Sequence, residues 1–358
     1  MIDVQSQTKT VICIGTGGVG KTTFAATLAF GKASEGLKVL VLTIDPSMRL
    51  AQALNIKIDG KIYDITTEEI LRKSKNQGRI SACVLQHEQI FQEFLFKATE
   101  NKLTRQDIER LTQNKLYKQL STKLSGSQEF TSLYKLNSFV QSGQYDLVIL
   151  DTPPAQRTWQ FLQAPEKLAQ LFSEGIAGWF RTSASKQSFF KKALNVGTAQ
   201  VLKALEMLTG AEFIKELSLF FQAIQNWQGP LEKQVLDCHG LLTSTKTEFF
   251  LITNLDSSRI QQAKQLSQEI LVEGYNLTSL IINKVPEWIQ IDDVYLSEKL
   301  KSFKSYFIAI EERIFQTSVS QSSTGIKSNL KLYKSPELSQ NELNASRLVH
   351  IYNQIEKI

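Results

Sequence analysis

The residues with the plainest chemistry stand near the start of the chain, where the apolar run VICI (11–14) opens into GTGGVGKTT (15–23). Gly15, Gly20, Lys21 and Thr22 match the spacing G-x-x-x-x-G-K-[ST]. That spacing suits a phosphate, because glycines let backbone N–H groups approach the anion and the lysine reaches its outer oxygens. A helix opening at Lys21 turns the positive end of its dipole toward the same anion. The expected phosphate contacts are Gly17, Gly18, Val19, Gly20, Lys21 and Thr22, with Thr23 beside them. The pattern predicts a nucleoside triphosphate site. The plainer alternative is an ordinary glycine turn ahead of a helix, and the flanking strand and helix patterns count against it.

Phosphoryl transfer needs more than a cradle: it requires metal ligands and a group that orients water. Thr22 supplies a hydroxyl for Mg²⁺. Asp151 follows the apolar run LVIL (147–150), where an acidic residue can hold the metal through water; a turn-forming Asp is the alternative. Asp45 ends a second apolar run in TIDPS and is the candidate for orienting the attacking water. Base choice follows by exclusion. A guanine-reading N-K-x-D needs a final carboxylate, but in IINKVP (281–286) Asn283 and Lys284 are followed by Val285 and Pro286. ATP is therefore expected, with the Asn283 amide able to pair with the adenine edge or merely to cap a turn.

These residues need elements to place them. After the loop, Lys21–Ala33 is rich in Ala and Leu and reads as a helix closed near Gly36, and KVLVLTI (38–44) reads as a parallel strand covered on both faces. Similar runs lie at Ser81–Leu85, Leu147–Leu150, Phe249–Thr253 and Leu277–Ile282, with weaker candidates near Tyr306 and Leu330. Strands alternating with helical patterns predict an α/β fold with a doubly wound, mostly parallel sheet, whose ligand site lies beyond the carboxyl ends of the strands. The loop, Asp45 and Asp151 all follow such ends. Two long gaps carry period-3.6 apolar patterns and few strand signals, so a helical subdomain is expected at about 88–143 and 165–246. The sheet core is expected at about 9–87, 144–164 and 247–358, the whole forming one ATPase-like domain. Ser318–Ser328 is small and polar and reads as a loop.

Composition excludes several classes. Over 358 residues, 41 Lys and Arg face 35 Asp and Glu for a formal charge of +6, which reads as solvated faces rather than a nucleic-acid surface. Cys13, Cys83 and Cys238 form no C-x-x-C pair, so neither a disulfide framework nor a zinc site is suggested. The N-terminus MIDVQSQTKT has no apolar signal core, and no apolar run approaches the roughly 18 residues of a membrane span. A cytoplasmic protein is expected, with any membrane contact peripheral.

GTGGVGKTT, VLVLTIDPSMRL, YDLVILDTPP and LIINKV, in this order, resemble the ArsA-type ATPases. That group holds the arsenite-pump ATPase and the ATPase that targets tail-anchored membrane proteins, and is related to MinD. LYKQLSTKLSGSQEF, DTPPAQRTWQFLQAPEKL and LTGAEFIKEL resemble the helical signatures of a bacterial subgroup. The resemblance implies a nucleotide-gated dimer with Mg²⁺ and ATP. It places Asp45 in a first switch and Asp151–Pro154 in a second, with Asn283 and the loop at Pro336 and Glu337 flanking adenine.

The chain departs from that pattern. Where the family's loop has a lysine that reaches the opposite subunit's nucleotide, this chain has Thr16, and Met48 stands where a His is usual. A neutral hydroxyl cannot replace an ammonium beside developing phosphate charge. Arg49, Arg157 or a second ArsA-like chain could bring the cation, so a homodimer and a heterodimer both stay open. Trp179, Phe180, Phe189 and Phe190 interleave with Arg181, Lys186, Lys191 and Lys192, a pattern of an amphipathic basic segment or of a plain helical core. The expected function is an ATP-hydrolysing switch that moves a helical subdomain holding a protein or membrane-associated client. A nucleotide-gated scaffold with negligible turnover is the alternative, and a kinase lacks any recognisable acceptor site.

Overall fold

Continuous apolar runs dictate a sheet buried on both faces, and the computed structural model builds one. It describes residues 2–44, 51, 54, 56–75, 77–98, 127–152, 162–165, 228–286, 330–337 and 345–357. The strands are β1 (Thr10–Gly15), β2 (Lys38–Thr43), β3 (Tyr63–Asp64), β4 (Arg79–Val84), β5 (Leu147–Asp151), β6 (Thr247–Thr253), β7 (Leu277–Val285), β8 (Lys331–Pro336) and β9 (Glu356–Lys357). They pair in the order β3-β4-β2-β5-β1-β6-β7-β8-β9. Every pairing from β4 to β8 is parallel, and the two-residue edge strands β3 and β9 are antiparallel. The expected α/β, mostly parallel sheet is therefore present. The run near Leu330 is a strand, whereas Tyr306 and Ser318–Ser328 lie outside the described residues. The short edge strands carry no periodic signal in the sequence.

The helices are α1 (Lys21–Ser34), α2 (Glu68–Lys73), α3 (His87–Ala98), α4 (Ser127–Ser142), α5 (Gln228–Thr243), α6 (Ser257–Val272) and α7 (Ala345–Gln354). One core cluster joins Phe24, Leu28 and Phe30 of α1 with Val11, Cys13, Val39, Val41, Ile149, Phe250 and Ile252 of the strands and Leu348, Val349 and Tyr352 of α7. The strand members alternate, as one face of a pleated sheet requires. Gly31 is where α1 meets α7: a Cβ there would stand 2.2 Å from the Tyr352 ring. Gly36, at φ 107, turns the chain out of α1.

The chain divides into two compact units. One holds Met1–Leu85, Ser138–Trp159 and Leu241–Ile358, and contains the sheet; the other holds Gln86–Asn137 and Gln160–Gly240. In the second unit α3 packs on α4 through an aromatic group, with Phe94 edge-on to Phe130 at 5.0 Å and to Tyr134 at 5.4 Å between ring centres. Lys135 pairs with Glu93 at 2.6 Å. His87 Nδ1 and Thr131 Oγ1 share a hydrogen bond of 2.8 Å, and burial lowers the His87 pKa to about 4. Among the described residues, no helix is long and apolar enough to cross a membrane.

Two predictions follow from packing and burial. Alanine is the better helix former by about 0.5–1 kcal/mol, but the Tyr352 ring leaves it no room, so Gly31→Ala should destabilise the chain by about 1–3 kcal/mol in urea unfolding. His87 is held neutral when folded, so its stabilisation is complete above the unfolded pKa of 6.5 and is lost as pH falls toward about 4. Near pH 5 the loss should reach about 2 kcal/mol relative to neutral pH, and His87→Gln should abolish that part of the pH dependence. Equal pH slopes for both chains would contradict the assignment.

Candidate active site

β1 is buried along its whole length and ends at Gly15, where a Cβ would lie 2.2 Å from the Ile252 carbonyl oxygen of the neighbouring β6. Only glycine fits that approach. The chain then turns through Gly17, which is half-buried, Gly18 at φ 77, which is exposed, and Gly20 at φ 89, which caps α1 in the left-handed region. Gly20 offers no side-chain cap, and the first turn of α1 carries no acidic residue. The positive end of the helix dipole therefore lies at the loop with no carboxylate from the helix's own first turn. Thr22 and Thr23 are half-buried.

Lys21 arches back over the loop. Its side chain is 93% withdrawn from solvent, being 7% exposed, and its Nζ donates to Gly15 O at 3.1 Å and to Thr16 O at 3.0 Å. Thr16 itself is buried, and its hydroxyl has no hydrogen-bond partner among the described residues.

The sheet order brings the second constellation together. β5 lies between β2 and β1, so Asp151 sits in register with Thr43 on one side and Cys13 on the other. Its Oδ2 accepts from Thr43 Oγ1 at 3.1 Å and from Thr22 Oγ1 at 2.7 Å. Asp151 is fully buried, and hydrogen bonds to a charged acceptor are worth about 1.5–3 kcal/mol each. Burial, and next the Asp151 charge, push the Cys13 thiol well above its usual range, so it stays protonated. Thr22 and Asp151 are hard oxygen donors. Because Thr22 gives its proton to Asp151, its lone pairs remain for a cation, and Mg²⁺ characteristically takes one or two protein oxygens alongside waters and phosphate. The donor set fits that ion. Thr43 was not singled out by sequence reasoning; its place at the end of an apolar run beside Asp45 was the available signal.

Asn283 lies at the end of β7, buried, with Nδ2 donating to Val19 O at 2.8 Å, and a Cβ on Gly20 would meet that same nitrogen at 2.4 Å. In this structure the amide is bonded to the loop backbone. Lys284 joins it, with Nζ donating to Gly18 O at 3.1 Å, a contact that nothing in the spacing foretells. Pro336 is in register with Val285, and Glu337 N donates to Val285 O at 2.9 Å, so both lie alongside the end of β7. Asp45, Arg49, Pro153, Pro154, Arg157 and the stretch Trp179–Lys192 lie outside the described residues.

The sequence profile of a family described as anion-transporting ATPase matches residues 8–324. A putative arsenical pump-driving ATPase 1 of Aquifex aeolicus is 24% identical over 326 residues, spanning 83% of this chain and 71% of the relative. Putative arsenical pump-driving ATPase 2 of the same organism is 24% identical over 311 residues, spanning 83% and 89%. ATPase get3 of Aspergillus terreus is 22% identical over 303 residues, spanning 83% and 79%. A glycine loop between β1 and α1, on a parallel sheet matched by this profile over most of its length, makes the chain a member of the anion-transporting ATPase family, an ATPase of the ArsA type.

Proposed function

We propose that the chain binds ATP with Mg²⁺ in the loop between β1 and α1, and that its nucleotide state drives a dimeric switch. The observation that carries this reading is the 2.7 Å bond from Thr22 Oγ1 to the buried Asp151 carboxylate, beside a lysine already folded over the loop. In the bound state Lys21 leaves Gly15 O and Thr16 O for the outer phosphate oxygens, with amides of Gly17–Thr22 around them. Thr22 ligates Mg²⁺ and Asp151 holds it through water; the ion's part is to neutralise phosphate charge. Asp45 orients the attacking water. Asn283, Pro336 and Glu337 flank the adenine.

The helical subdomain proposed at 88–143 and 165–246 responds to this cycle and handles a protein or membrane-associated client. The cycle runs in the cytoplasm, in a homodimer or in a heterodimer with a second ArsA-like chain. Some relatives are named for arsenical pumps, but the cysteines here give a soft ion little to hold. Cys13 and Cys83 are buried on β1 and β4, three strand spacings or about 14 Å apart. The second reading, a scaffold that binds ATP and holds it, is favoured by one specific observation: Thr16, buried and neutral, stands where a lysine would serve the opposite subunit.

Phosphate release decides between these readings. The wild-type chain with Mg²⁺ and ATP should turn over, and Lys21→Ala and Asp45→Asn should each reduce kcat by at least about a hundredfold. Dimerisation on ATP without phosphate release would favour the scaffold. Thr22→Ala should weaken the response to added Mg²⁺ more than it weakens ADP binding without metal. The Asp45→Asn chain held with ATP should retain a client on affinity capture; recovery of the chain alone would remove the support for client handling.

A further inference from the structure

Asn283 and Lys284 are neighbours in β7, yet both reach the same loop. Successive side chains of a regular strand point to opposite faces. The register between β7 and β8 shifts between Ile282 and Val285, and Lys284 takes φ 60, in the left-handed region that residues with a Cβ seldom occupy. A bulge of this kind re-aims a side chain, and strained backbone of this kind gathers at functional sites. Here it brings two donors onto two consecutive carbonyls, Asn283 onto Val19 O at 2.8 Å and Lys284 onto Gly18 O at 3.1 Å.

Peptide geometry says what those bonds accomplish. A trans peptide sets the C=O of one residue opposite the N–H of the next, and no described peptide is cis. Fixing Gly18 O therefore fixes the Val19 N–H facing away from Lys284, and fixing Val19 O does the same for the Gly20 N–H. A charged donor on a carbonyl also polarises that peptide and strengthens its N–H as a donor. Lys284 itself is exposed, and its Nζ reaches Gly18 O from the solvent side.

We propose that Lys284 is a positioning residue for phosphate binding. By holding Gly18 O it orients and polarises the Val19 N–H toward the nucleotide's phosphates, and it places positive charge on the loop. The inference rests on reading the loop as the nucleotide cradle, and goes beyond it in assigning the tip of β7 a share in phosphate affinity.

The test measures binding of ADP and of inorganic pyrophosphate to the full chain at fixed ionic strength. Lys284→Met should weaken both by about tenfold, and Lys284→Arg should restore most of the loss. Lys284→Gly, which takes the left-handed backbone without strain, should bind as weakly as Lys284→Met while matching or exceeding the wild type in thermal stability. A loss for ADP with pyrophosphate unchanged would overturn the proposal, because it would place the lysine on the base or ribose. Unchanged binding of both ligands would overturn it as well. A folded wild-type chain that binds neither ligand would overturn the cradle reading itself, and the inference with it.

Discussion

The site depends on one carboxylate held out of water. An ionised Asp in a fully buried position is costly unless hydrogen-bonded or joined by a cation, and Asp151 is held by hydroxyls from two separate elements. Thr43 reaches it from the end of β2 and Thr22 from the first turn of α1. That arrangement exists only because β5 inserts between β2 and β1, a neighbour relation set by crossovers rather than by sequence distance. The carboxylate thus fastens the first turn of α1 to the sheet that supports it.

The cradle is shaped by what its glycines lack. Gly15 lets β1 pass against the Ile252 carbonyl, and Gly20 lets the Asn283 amide lie on the loop. A Cβ at either place would push the loop off its supports on β6 and β7. Phosphate binding by backbone amides needs this rigidity, because free loop amides would have to be ordered at the moment of binding. The loop is backed by the Ile252 carbonyl and held by Asn283 and Lys284.

Much of this was legible in the chain. The glycine spacing, the runs KVLVLTI, LVIL and LIIN, and the aspartate after LVIL specify strand, loop, helix and the sheet because their physics is local: apolar continuity, φ freedom and a strand end. The rest was not local. Thr43 becomes a partner of Asp151 only through strand order, and the two-residue edge strands β3 and β9 are too short to carry any period. Lys284 was visible only as the second letter of a base-reading motif that fails at its fourth position. Its contact with Gly18 depends on a bulge and a left-handed backbone that no spacing encodes.

The two ends of the parallel sheet show opposite uses of polar groups. At the amino ends, buried Glu248 of β6 accepts from Thr8 Oγ1, from Gln5 N at 2.9 Å and from Thr278 Oγ1 at 2.5 Å. Nearby, Lys32 donates to Ile2 O at 2.8 Å and Glu35 Oε2 at 2.9 Å, while Tyr352 donates to Glu35 Oε1 at 2.5 Å. Each charge there is answered from within the chain, and the result locks the first residues and α7 onto α1. At the carboxyl ends the same chemical types are arranged differently. α1 opens on a glycine with no side-chain cap, Lys21 donates to the carbonyls of Gly15 and Thr16, and Asp151 accepts from the hydroxyls of Thr22 and Thr43. Lys21 and Asp151 both lie close enough to Cys13 for their charges to act on its thiol. The two opposite charges thus converge at the carboxyl ends of β1 and β5, beside the loop proposed to hold the nucleotide.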